Sequence, residues 1–224
     1  MPTVVYAAQV HITTIGLAPH LTEMLRTLRR DPAVSTIHLW VNKEGGLPRV
    51  RELREDSRVD AHIHYHPLNG IYEQWNAALD WTERYDAEDR IAVVLNDDLT
   101  LPADCISDVL EKMLRFPHFA LVGLPYEGSQ HQHDIAATRG TYKSAGMGGF
   151  AWAAWPKRCG RVAPGYTWWF GDDDLVMRTL DSGEGVGIAR GTPLIHEASY
   201  SSSRSPEVLN DIEADRRLYE SHWG

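Results

Sequence analysis

Ile91-Ala92-Val93-Val94-Leu95-Asn96-Asp97-Asp98-Leu99-Thr100-Leu101-Pro102 is the stretch that decides how this chain is read. Ile91 to Leu95 is an unbroken apolar run, the pattern of a central strand buried on both faces of a sheet. It stops abruptly on Asn96-Asp97-Asp98. In an open α/β sheet, ligands gather at the carboxyl ends of the strands. Two adjacent carboxylates at such an end are costly to desolvate unless something positive joins them. Mg²⁺ and Mn²⁺ prefer oxygen ligands, and commonly take only one or two carboxylates beside substrate phosphates. On spacing alone, a solvated loop that caps a helix opening at Pro102 explains the same residues equally well.

Working outward, strand and helix patterns alternate. Val4 to Val10 reads as a first strand, and Leu21, Met24, Leu25 and Leu28 follow at helical spacing until Pro32. Thr36 to Val41 reads as a second strand that runs into Asn42 and a turn at Gly45-Gly46-Leu47-Pro48. Val59 to Tyr65 is a short third strand. Asn69 can cap the next helix, which carries Ile71, Trp75, Ala78 and Leu79 inward. After the Asn96-Asp97-Asp98 strand come a helix with Ile106, Val109, Leu110, Met113 and Leu114 inward, and a strand over Phe119 to Leu124. Glu127 to Met147 is polar and without period, which suggests a lid with Arg139 and Lys143 facing a diphosphate. Gly149 to Trp155, Val186 to Ala189 and Pro193 to Ile195 read as later strands. Ser205-Pro206 opens a last helix, docked through Val208, Ile212 and Tyr219. The expectation is one α/β domain over residues 1–224, with a nucleotide-binding lobe over 1–100, an acceptor lobe over 101–204 and a terminal helix over 205–224.

The composition narrows the partners. The 224 residues carry a net charge of -9, which argues against a nucleic-acid surface built on clustered Lys and Arg. Cys105 and Cys159 have no CxxC spacing, so they read as free thiols of a reducing compartment. No apolar run approaches the roughly 18–20 residues that span a bilayer, and no leader pattern opens the chain, so the expected location is cytoplasmic.

Three further clusters invite chemistry. Gly171-Asp172-Asp173-Asp174 opens a helix, where carboxylates gain from the helix dipole. Three close like charges also raise at least one pKa, which suits a general base. His196 follows a late strand; His131 and His133 read as an exposed loop. Trp152, Trp155, Tyr166, Trp168, Trp169 and Phe170 divide between core and a platform on which a sugar ring can stack.

The order of these pieces resembles family 2 glycosyltransferases, closest to their rhamnosyltransferase-like members. Leu95-Asn96-Asp97-Asp98 through Pro102 looks like the family's Asp-x-Asp region in its "LNxDxxxxP" form. Gly171-Asp172-Asp173-Asp174-Leu175 through Arg178 resembles "EDxDLxxR", Asn69-Gly70 through Trp75-Asn76-Ala77-Ala78 resembles the helix before the metal strand, and His196 with Ser199 resembles a late "H…S" element. The resemblance covers roughly residues 1–200.

The resemblance implies a GT-A fold, Rossmann-like with a mixed central sheet, and a nucleotide-sugar donor linked through UDP, dTDP or GDP. It implies Mn²⁺ or Mg²⁺ on Asp98 and His196, and donor contacts from Thr13, Asn42, Lys43, Asn69, Asn76, Asn96 and Asp97. On the acceptor side it implies Gly149, Trp168 and Trp169, with Asp172 or Asp173 deprotonating a hydroxyl of a carbohydrate, lipid-linked or protein acceptor, with inversion. Gly171 departs from the family's first acidic position, and Asn96 from the first Asp of Asp-x-Asp. Two rival readings remain at this point. A noncatalytic nucleotide-sugar or carbohydrate-binding module fits the Gly171 departure. A haloacid-dehalogenase-like phosphatase fits Asn96-x-Asp98-x-Thr100, but its covalent chemistry needs a carboxylate where Asn96 stands.

Overall fold

The computed structural model describes residues 7–14, 19–57, 60–65, 70–85, 90–129, 131–139, 146–197 and 212–224. Its frame is an eight-stranded mixed sheet, in the order β3-β2-β1-β4-β8-β6-β9-β7. The strands are β1 (Ala7–Thr14), β2 (Val34–Val41), β3 (His62–Tyr65), β4 (Arg90–Asn96), β6 (Phe119–Gly123), β7 (Ile135–Ala137), β8 (Ala151–Ala154) and β9 (Gly185–Ala189). The first four are mutually parallel; β8 runs against both β4 and β6, and β7 against β9. A separate two-stranded ribbon joins β5 (Leu99–Thr100) to β10 (Ile195–His196). Strands from both sides of residue 100 thus share one sheet.

Alternation along β1 sets the layers. Ala8, Val10 and Ile12 pack with α1 (Leu21–Arg30), α2 (Leu47–Ser57) and α4 (Cys105–Arg115) on one face. The other face meets α3 (Tyr72–Tyr85) and α5 (Gly171–Asp181), in a core built on Trp75, Leu79, Trp152 and Leu175. Side chains of period two on the strands, and of period near 3.6 on the helices, produce this three-layer sandwich. The β1–β2 connection holds α1 on one face and the β3–β4 connection holds α3 on the other. A crevice therefore forms at the carboxyl ends of β1 and β4, the topological switch point where α/β sheets bind ligands.

Several elements differ from the sequence reading. The first strand is described over Ala7–Thr14 rather than Val4 to Val10. Gly45-Gly46 closes a short 3₁₀ turn, and Leu47-Pro48 opens α2 rather than a loop. Proline is at ease in a first helical turn because its missing N–H has no partner there anyway. The helix expected from Pro102 starts at Cys105, after Asp104 takes a left-handed φ of 56°. Ile135–Ala137 is the edge strand β7, pinned to β9 by Thr138 N–H to Val186 O (3.0 Å) and Arg190 N–H to Asp134 O (2.8 Å). The middle of the expected lid is therefore fixed in the sheet; Lys143 lies outside the described residues. The last helix is α6 (Ile212–Trp223), and there Ile212 is exposed while Asp215 is buried. Val208 lies outside the described residues. Among the described residues no helix is long and apolar enough to cross a membrane.

Candidate active site

The switch-point crevice is lined first by the ends of β1, β2 and β4. Register pairing sets Thr13 beside Asn96, and the Thr13 hydroxyl lies 3.3 Å from Asn96 Oδ1. The Thr14 hydroxyl donates to Asp97 Oδ2, tying the two strand ends together. Asn42 leaves β2 with its N–H on Thr14 O (3.3 Å), and its buried Oδ1 has no hydrogen-bond partner among the described residues. Lys43 follows it, exposed. These residues come together where the sequence reading put them. Asn76 does not join them. Its amide brackets the Val162 backbone, with Nδ2 on Val162 O at 2.8 Å and Val162 N–H on Oδ1 at 3.0 Å. Both ends of that amide are already engaged in holding a loop to α3. Asn69 and Ser199 lie outside the described residues.

Asp98 comes next. The β5–β10 ribbon pairs Leu99 with His196, and Glu197 N–H bonds Asp98 O at 3.1 Å. This clamps His196 Nε2 3.4 Å from Asp98 Oδ1. Among the described residues that buried oxygen has no hydrogen-bond partner, a costly state for a carboxylate. One carboxylate oxygen facing one imidazole nitrogen fits a divalent ion that keeps most of its shell for phosphate and water. Among the described residues no group of three or more His, Cys, Asp or Glu is arranged to hold a metal.

The His196 ring stacks on Phe150, with centroids 4.0 Å apart. Phe150 O accepts the Asn96 N–H at 2.8 Å. Gly149, immediately before it, touches the acidic cluster. Its N–H donates to the Asp172 carboxylate, and a Cβ at 149 would stand 2.6 Å from Asp172 Oδ2. Gly149-Phe150 therefore joins the Asp98–His196 pair to Asp172 and Asp173.

The three aspartates of α5 have different environments. Asp174 is buried and serves as a structural anchor. It accepts from Ala163 N–H (2.8 Å), Arg178 Nε (2.7 Å) and Trp223 Nε1 (2.8 Å). Burial raises the Asp172 pKa, opposed by N–H bonds from Asp172, Asp173 and Gly149. Burial, then the Asp172 charge, pushes Asp173 up to about 7. The helix dipole at this end does not offset the desolvation.

Gly171 has a local cause. Tyr72 lies so close that a Cβ at 171 would meet its ring carbons at 2.6 Å. The Gly171 N–H also bonds the Tyr72 hydroxyl, whose pKa burial raises well above its usual value. An acidic side chain at 171 has no room while Tyr72 stands there. Phe170, just before, holds a φ of 60°. That conformation costs about 1–3 kcal/mol for a residue with a Cβ. Its ring stacks on Tyr219 of α6 at 5.8 Å, which helps hold it.

The aromatic segment divides as expected. Trp152 and Tyr166 are core residues, while Trp168 and Trp169 are half-buried beside the acidic cluster. Their backbone is held by Asp215, which accepts N–H bonds from Thr167 (3.1 Å), Trp168 (2.9 Å) and Trp169 (2.9 Å). Sequence reasoning missed Asp215. The signal was an acidic residue in the first turn of an amphipathic helix, indistinguishable from a solvated one. His131 departs from its expected exposed setting: both ring nitrogens are buried and lack a hydrogen-bond partner among the described residues.

No protein-family model matches the chain, and no curated protein matches it. Solved structures do. Glucosyl-3-phosphoglycerate synthase from Mycobacterium tuberculosis, in complex with Mn²⁺, UDP-glucose and phosphoglyceric acid, superposes with a TM-score of 0.65 at 12% identity, over 96% of this chain and 79% of that one. TarS 1–349 from S. aureus gives 0.59 at 10% identity, over 86% and 61%. A 4-diphosphocytidyl-2C-methyl-D-erythritol synthase from Anaerococcus prevotii gives 0.51 at 13% identity, over 96% of both chains. At these identities the likeness is one of fold: the chain is an α/β protein whose large mixed sheet is shared with these three proteins.

Proposed function

We propose that this chain is a GT-A glycosyltransferase that moves a sugar from a nucleotide-sugar donor to an acceptor hydroxyl with inversion. One observation carries the reading. Gly149-Phe150 joins an orphaned Asp98 oxygen, facing His196, to two carboxylates with raised pKa values. A donor-diphosphate site and a base site for an acceptor need that adjacency; a noncatalytic binding module does not. The UDP-glucose and Mn²⁺ held by the mycobacterial synthase support the choice of donor class and ion.

Thr13, Asn42, Lys43, Asn96 and Asp97 hold the nucleoside end. Asp98 and His196 would hold Mn²⁺ or Mg²⁺, which would supply Lewis-acid stabilisation of a departing diphosphate. Asp173 is the base. Its pKa near 7 suits proton transfer at neutral pH, whereas Asp172 is held by three N–H donors and orients the acceptor. The acceptor hydroxyl gives its proton to Asp173 as its oxygen bonds the anomeric carbon. The bond from that carbon to the diphosphate breaks, and the nucleoside diphosphate leaves with the electron pair. Trp168 and Trp169 face the acceptor, whether carbohydrate, lipid-linked or protein-borne.

The deciding experiment is a thermal-shift series with UDP-, GDP-, dTDP- and CDP-sugars, each with Mn²⁺ or EDTA. Ligands that bind only the folded state raise its melting temperature. A metal-dependent rise with one nucleotide sugar, lost in Asp98→Ala, supports the proposal. No rise with any nucleotide sugar overturns it.

A further inference from the structure

A second concave site lies away from the switch point, on the flank of the sheet where β3 forms the edge. A cavity of about 410 Å³ opens there between β2, β3 and α3. Its lining is Trp40, His64, Tyr65, Asp80, Trp81 and Arg84, with Ala77 leaving room. The volume falls in the roughly 300–1,000 Å³ usual for small-molecule sites.

The sequence builds this cavity from two periodicities. Ala77, Asp80, Trp81 and Arg84 stand at i, i+3, i+4 and i+7, which puts them on one face of α3. Trp40 and His64 are register partners on adjacent parallel strands, so they share a face of the sheet. Their rings stack at 4.3 Å, and Trp81 meets His64 edge-on at 4.6 Å. Tyr65, at the end of β3, is 41% exposed, one of three large hydrophobic residues so exposed among those described.

The charges at the rim select the ligand chemistry. Asp80 bonds Arg161 Nε at 2.9 Å, yet its side chain keeps 58% exposure. Arg84 is exposed and has no partner among the described residues. One carboxylate and one guanidinium leave the lining near neutrality, which disfavours a strongly anionic ligand such as a nucleotide. The exposed Tyr65 ring, with a hydrogen-bond acceptor at Asp80 and donors at Arg84, fits the apolar face and hydroxyl edge of a pyranose ring.

We propose that this groove between α3 and β3 is a carbohydrate-binding site, separate from the switch-point crevice, that takes one or two neutral pyranose units. It lies between α3 and the face of β2 and β3, while the crevice lies at the carboxyl ends of β1, β2 and β4. The inference stands apart from the glycosyltransferase reading, because binding here needs neither donor nor metal.

The test is titration of the full chain, without metal or nucleotide, by maltose, cellobiose, chitobiose, lactose and methyl α-rhamnoside. Indole and AMP serve as aromatic controls. The readout is amide chemical-shift change, followed at Tyr65, Trp81 and Arg84. The expected result is saturable shifts at these residues with at least one saccharide, retained in Asp98→Ala. Arg84→Ala, an exposed change that leaves the fold intact, should weaken binding by about tenfold. Trp81→Ala should abolish it. Shifts with no saccharide, shifts that Arg84→Ala leaves unaltered, or shifts with indole or AMP alone would each overturn the proposal. Loss of nucleotide-sugar binding with retention of saccharide binding would refute the function proposed above and leave this site standing.

Discussion

Gly149 and Asp172 are in contact: a Cβ at 149 would stand 2.6 Å from Asp172 Oδ2, and the Gly149 N–H faces that carboxylate. The nearest atoms belong to the Asp172 side chain, which faces the N–H groups of Gly149, Asp172 and Asp173, so it must shift to make room. Gly149→Ala is therefore expected to displace Asp172 from the acceptor while leaving the ends of β1 and β4 untouched. Misplacement on this scale costs about 10²-fold in turnover. Steady-state kinetics should show kcat falling by that order, with nucleotide-sugar affinity in the thermal-shift assay unchanged. Loss of donor affinity in parallel would mean that Gly149 shapes the donor side.

A pH profile separates the roles of the two carboxylates. The Asp173 pKa is raised to about 7, by burial first and by the Asp172 charge second. A base must be ionised to act, so transfer is expected to rise as pH increases through about 7 and then level off. Asp173→Asn should remove this rise and lower kcat by about 10²–10⁴-fold, with donor binding retained. If Asp173→Asn keeps the pH profile and Asp172→Asn loses it, the two roles are exchanged. Full activity in both variants removes the base assignment altogether.

Asp215 reaches the site through the backbone alone. Its carboxylate takes three consecutive N–H groups, from Thr167 to Trp169, and anchors α6 beneath the tryptophan segment. Asp215→Ala leaves those donors unsatisfied, a loss of about 1–3 kcal/mol or more. Urea unfolding should report this as a lower midpoint, and tryptophan emission should change as Trp168 and Trp169 shift. The acceptor KM should rise while donor affinity stays constant. An unchanged emission spectrum would show that α6 does not position these rings.

The strands β2 and β4 and their carboxyl ends were legible because they depend on local pattern. An apolar run broken by Asn96-Asp97-Asp98 carries its own period and its own stop. Asp98 and His196 were placed through resemblance, and the ribbon that clamps them pairs residues far apart in sequence. The expected helix cap at Pro102 failed for a backbone reason, the left-handed Asp104. Asp174 and Asp215 look like surface acids in sequence, since nothing local marks a carboxylate that gathers N–H donors from distant segments. Gly171 looked like a lost acid until Tyr72, from another helix, was seen to fill its space. Asn76 fitted a family pattern, and only the Val162 backbone shows where its amide is used.

The polar side of β1 leads to an expectation about acid stability. His11 stacks on His38 at 4.7 Å, and His38 bonds His64 at 3.0 Å. Trp40 Nε1 donates to His11 Nδ1, which leaves the proton on Nε2, facing Thr82. Burial, then the neighbouring imidazoles, lowers the His11 pKa well below 6.5 and lowers that of His38 to about 3. Unfolded imidazoles take up protons below about 6.5, and these two folded ones do not. Their contribution to stability is therefore whole above pH 6.5 and lost as pH falls toward 3. Each histidine steepens the loss by up to one proton as pH falls below about 6.5. Asp173 acts in the opposite sense, because its raised pKa lets the folded state take up a proton near pH 7. Urea midpoints between pH 7 and pH 5 in an Asp173→Asn background should therefore fall steeply, and His38→Gln should reduce the slope by about one proton. An equal slope with and without His38 would mean that the array opens and protonates before the chain unfolds.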